Sequence, residues 1–90
     1  MESSAIELSG HAREQAALRG IDEATVVRVA AAPDQRERTH SDREVRQSLL
    51  RMGDEARLYL IRVVVELRPL RQTIISVYRT SKIRKYWRPT

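Results

Sequence analysis

Residues Arg57 to Leu67 constrain this chain more than any other stretch, because they alternate over a length that only a strand explains. Tyr59, Ile61, Val63, Val65 and Leu67 make one continuous apolar face, while Leu58, Leu60, Arg62, Val64 and Glu66 make a mixed one that needs only partial cover. A strand of this kind commits the chain to a sheet with a second layer packed on one side. Gly53-Asp54 marks a turn before it and Arg68-Pro69-Leu70-Arg71 a connection after it. Upstream, Glu44 to Met52 alternates imperfectly through Val45, Leu49, Leu50 and Met52. Downstream, Gln72 to Arg79 places Thr73, Ile75 and Val77 on one face. Three successive strands on short turns predict an antiparallel meander, centred on Ile61, Val63, Val65, Ile75 and Val77.

The first half has a helical period. Ser3 to Leu8 predicts a short strand, and Ser9 is placed to cap a helix over residues 11–18 with His11, Gln15 and Leu18 on one stripe flanked by Ala12 and Ala16. Arg19-Gly20-Ile21-Asp22 closes that helix and caps the next, over residues 23–31, with Val26, Val29 and Ala30 inward. Pro33-Asp34 starts a turn, and the polar run Gln35 to Asp42 is either a loop or an exposed edge strand. Ser81 would cap a terminal helical turn in which Ile83, Tyr86 and Trp87 share a face. The expectation is one α+β domain over residues 1–90, of order β-α-α-β-β-β. Two N-terminal helices would pack on a small antiparallel sheet, and a short C-terminal helical turn would follow it.

Composition removes several function classes. With no Cys among 90 residues there is no disulfide, thiolate zinc site or cysteine nucleophile. The two His lie 29 positions apart with no carboxylate cluster beside them and no glycine-rich phosphate loop occurs, so no metal and no cofactor is expected. No apolar run approaches the roughly 20 residues of a membrane span, and Met-Glu-Ser-Ser-Ala lacks the start of a secretory signal, so a cytoplasmic protein without membrane contact is expected. Charge is the positive clue. The net charge is +5, yet the last acidic residue is Glu66, and residues 67–90 carry seven cations. A basic end on a near-neutral body suits a polyanion or an acidic protein surface, and equally a solvated face.

Three stretches then carry a resemblance. His11-Ala12-Arg13-Glu14, Arg19-Gly20-Ile21-Asp22 and Pro33-Asp34, together with the ending Ser76-Val77-Tyr78-Arg79-Thr80-Ser81-Lys82-Ile83 and Tyr86-Trp87, resemble the domain-of-unknown-function family numbered 4258 over roughly residues 5–87. Gln15 stands where an apolar residue is more usual there. The element order is similar to that of the RelE and BrnT group of bacterial toxins, whose members include ribosome-associated ribonucleases that cut messenger RNA and are silenced by a partner antitoxin. The resemblance implies a toxin-type module that binds RNA or the ribosome, an acidic antitoxin-like partner and, if it is an enzyme, a metal-independent endoribonuclease. The alternative is a non-catalytic protein–protein interaction domain.

Cleavage of RNA by attack of its 2′-oxygen needs a base, an acid and cations. The candidates are His11 at the start of the first helix, His40 in the polar run beside Arg36, Arg38 and Arg43, and Arg46. His11 serves either as a base or as a residue packed on the sheet. Arg46 shares parity with Glu44 and Ser48, and Arg62 with Glu66. If those parities face away from the helices, the open sheet surface is a substrate groove or an ordinary salt-bridged surface. For nucleic-acid binding the candidates are Arg79, Lys82, Arg84, Lys85 and Arg88, with Tyr86 and Trp87 either stacking on bases or sealing the sheet.

Overall fold

A computed structural model describes residues 5–89. Its elements are β1 (Ala5–Leu8), α1 (Gly10–Leu18), α2 (Glu23–Ala31), β2 (Gln35–His40), β3 (Arg43–Met52), β4 (Arg57–Arg68), β5 (Arg71–Thr80) and α3 (Ile83–Tyr86). The expected start of the first strand, Ser3 and Ser4, lies outside the described residues.

The expected antiparallel sheet of β-α-α-β-β-β order is corrected. The sheet has five strands in the order β1-β5-β4-β3-β2 and is mixed, because β1 pairs with β5 in parallel. The α1–α2 pair carries the chain from the β1 edge to the opposite edge, and the meander returns until β5 runs beside β1 in the same direction. The added strand is β2, the polar run, which is the edge strand of the two alternatives. It lacks apolar alternation because its cover is electrostatic: Arg36 and Arg38 lie 3.6 and 3.7 Å from the Glu44 carboxylate on β3.

Local chemistry fixes each helix. The Ser9 hydroxyl accepts from the amide of Ala12 and the Asp22 carboxylate from that of Thr25. That hydrogen bond holds the Asp22 carboxyl below its ordinary value. Gly20 takes φ +66° in the turn between the helices, where the Ile21 amide donates to Ala16. On α1 the buried face is Ala12 and Ala16; His11 and Leu18 are exposed, so the expected stripe is rotated. Small residues let α1 lie close to β5, and there Gln15 gains its role. Its Oε1 accepts from the Val77 amide at 2.8 Å, beyond the last β1–β5 pair at Leu8–Ile74.

Val26, Val29 and Ala30 of α2 complete the helix layer over Ile61, Val63, Val65, Ile74 and Val77. Ile74 replaces the expected Ile75. Val64 pairs with Ser76 and Val65 with Ile74, so Ile75 is the extra residue of a bulge that reverses the facing of the strand before it.

Candidate nucleic-acid interface

The helices cover one face of the sheet, and the chain after β5 crosses the other. This crossing tail, residues 82–89, is held to the sheet through its backbone. Gln35 of β2 acts on Arg88 twice, its Oε1 accepting from the amide at 3.1 Å and its Nε2 donating to the carbonyl at 2.5 Å. Gln47 of β3 donates to the Tyr86 carbonyl at 3.2 Å and to Gln35 Oε1 at 2.7 Å. The Arg88 guanidinium reaches the Arg36 carbonyl at 2.6 Å. A side-chain amide that both donates to and accepts from one residue reproduces a strand pairing, so the two glutamines grip whatever side chains the tail carries.

Beneath the tail sits Arg62. Its Nη1 donates to the Tyr78 hydroxyl at 2.6 Å, and its guanidinium carbon lies 4.2 Å from the centre of the Tyr86 ring and 5.4 Å from that of Tyr78. The two rings meet edge to face at 6.3 Å. Burial pushes the Tyr78 phenol above its ordinary value, with the Arg62 charge opposing, so the phenol stays protonated at neutral pH. Arg62 has no carboxylate partner among the described residues. Its Nε is buried without a hydrogen bond, and so is Oε1 of Gln47, its direct cross-strand neighbour. A small hollow there is lined by Arg36, Glu37, Val45, Gln47, Arg62 and Arg88.

The expected binding residues divide. Lys82, Arg84 and Lys85 are exposed on and around α3, with Lys85 Nζ 5.3 Å from the Tyr86 ring centre. Arg88 is spent on tail docking. Arg79 faces the helix side, over the ring of Tyr59 at 4.5 Å. Tyr86 and Trp87 do not act as a pair: Tyr86 lies over Arg62, whereas Trp87 borders an open hollow with Ile83, Arg84 and Pro89.

The three catalytic candidates are not brought together. His11 is exposed on α1, above the β1–β5 edge, rather than packed on the sheet, and His40 ends β2 at the other edge. Arg46 pairs with Val63, so its parity faces the helices and not the open surface. With only 5% of its side chain exposed, it donates to Glu44 at 2.8 Å and to the Ala30 carbonyl and Gln72 at 2.7 Å each. It ties β3, the end of α2 and β5 together. Burial pushes the Glu44 carboxyl up, but the hydrogen bond and charge of Arg46, with Arg36 and Arg38, outweigh it and hold the group below its ordinary value.

The sequence singled out Arg62 with Glu66 as a parity suited to the open sheet surface, and Arg62 does lie on the face away from the helices, but the rings that cover it were not foreseen. Gln35, Gln47 and Tyr78 carried no signal, since their roles depend on residues up to 53 positions away. Among the described residues no three potential metal ligands cluster, and no helix is long and apolar enough to cross a membrane.

Neither the curated proteins nor the solved structures hold a match to this chain. A family model does match, over residues 8–79, which takes in β5 but stops short of the tail and α3. By that match the chain belongs to the family described as Domain of unknown function DUF4258.

Proposed function

We propose that this protein is a small RNA-binding module of toxin type, acting on RNA or the ribosome, with α3 and the tail as its contact surface. The observation that carries this reading is the placement of Lys82, Arg84 and Lys85, exposed together beside a half-buried Trp87, at the end of a chain segment without an acidic residue. Cations in that arrangement hold phosphates while the ring and its apolar neighbours offer a base a surface to stack on. The separation of His11, His40 and Arg46 favours binding over cleavage.

Single-stranded RNA titrated at several salt concentrations tests it. Three free cations give a log–log slope of about −2, and Lys82→Ala with Lys85→Ala flattens it by about 1.4 while weakening all sequences alike. Equal affinity of parent and double variant at low salt would leave the tail a solvated surface. The chain would then be better regarded as a protein-interaction domain, with the exposed edge of β2 as the place for a partner such as an acidic antitoxin-like protein.

A further inference from the structure

We infer that Arg62 is a phosphate-binding residue and that the tail over it is a removable cover, so that an RNA phosphodiester reaches the open sheet face when residues 82–89 lift. This rests on the RNA-binding reading and locates a second contact within it. Three observations meet at the site. First, a half-buried guanidinium with no counter-ion among the described residues is an unbalanced charge, and a phosphate oxygen is the ligand that balances it. Second, among the described residues the closed state leaves Arg62 Nε–H without an acceptor and Gln47 Oε1 without a donor, although both are buried. Lifting the tail gives Nε–H the phosphate and gives the glutamine oxygen water. Third, the cover is built to leave. No side chain of α3 is fully buried, Lys82 enters the helix without a side-chain cap, and the tail is held by the Gln35 and Gln47 amides, the Arg88 guanidinium and the Tyr86 ring, which meets Arg62 and the edge of Tyr78.

The surface exposed by lifting is suited to the ligand. The Arg62 side chain lines the hollow with Glu37, while the Arg36 side chain turns to Glu44 on the helix side, and release of Arg88 from the Arg36 carbonyl frees a second guanidinium. The protonated Tyr78 phenol accepts from Arg62 and keeps its own hydrogen for a phosphate oxygen. No covalent step is involved.

Trp87, the sole tryptophan, lies in the cover and reports its movement. The full chain is titrated with a single-stranded RNA oligonucleotide at fixed salt, followed by tryptophan emission and by anisotropy of a labelled strand. Thermal unfolding of each variant runs in parallel. Arg62→Met is expected to lose about tenfold in affinity and Arg62→Lys to recover part of it. Gln35→Ala loosens the cover and is expected to raise affinity about threefold or more, because a larger fraction of molecules is already open. Without RNA, Gln35→Ala should already shift tryptophan emission towards that of a solvated indole, because the loosened cover carries Trp87 with it.

If Arg62→Met and Arg62→Lys both bind as the parent does while Lys82→Ala with Lys85→Ala weakens binding, RNA binding stands and the phosphate site falls. If Gln35→Ala weakens binding as much as that double variant, the docked tail presents the contact surface and the cover is overturned. A parent that binds no RNA removes both readings.

Discussion

Arg46 is the residue on which sequence parity and structure diverge most, and its energetics follow from what it touches. It is buried among a carboxylate, a carbonyl and an amide oxygen, all accepting from it. Arg46→Met leaves Glu44 and the Ala30 carbonyl without that donor, and removal of one member of a buried pair costs about 3 kcal/mol. Arg36 and Arg38 remain beside Glu44 and reduce the loss. Glu44→Leu with Arg46→Met should recover most of it, since no charge then stays buried. Urea unfolding of the single and double variants checks this, and a single variant as stable as the parent would contradict it. The same carboxylate gives a pH signature. Its folded value lies below the ordinary 4.5, so its stabilising contribution is complete above that pH and is lost as pH falls through the folded value. Glu44→Gln should therefore flatten the acid side of the stability profile.

At the scale of the elements, legibility followed the apolar period. α2 and β4 were readable because their buried residues recur at helical or alternating spacing, and α1 was placed by its cap Ser9 and the turn at Gly20, although its buried face is Ala12 and Ala16 rather than the expected stripe. β2 was legible only as one of two alternatives, because its helix-side residues are exposed arginines whose partner Glu44 belongs to another strand. The facing of β5 was misread because a bulge is invisible to strict alternation: Ile74 is fully buried and Ile75 is not. Ile74→Ala should thus cost about 2 to 4 kcal/mol and Ile75→Ala about 1 kcal/mol or less. Equal losses would mean that the strand continues without the extra residue. Gln15 teaches the related lesson that a polar residue on a helix face can be required, here by an amide of β5 that β1 does not reach. Gln15→Leu should cost about 1 to 3 kcal/mol, measured by thermal or urea unfolding, for leaving that amide unpaired.

For the whole molecule, the two sheet faces have different chemistries, and the tail belongs to the polar one. The helix-covered face holds the aliphatic core, whereas the opposite face is closed by glutamine amides, an arginine and two tyrosines. The sequence showed the cations of this tail but not its path, which depends on Gln35 meeting Arg88 across most of the chain. Tyr86 and Trp87, adjacent in sequence, therefore face different fates. Tyr86 lies over Arg62 at cation–ring distance and against Tyr78, so Tyr86→Ala should cost about 1 to 3 kcal/mol in urea unfolding. Trp87 borders the open hollow with Ile83, Arg84 and Pro89, so Trp87→Ala should cost about 1 kcal/mol or less. Its effect should appear instead in binding, as a uniform loss of about 1 to 3 kcal/mol for single-stranded RNA, with the salt slope unchanged because no charge is removed. If Trp87→Ala unfolds the domain as readily as Tyr86→Ala and leaves RNA affinity untouched, the indole belongs to the packing of the tail, and the surface offered to a base must lie elsewhere on the basic end.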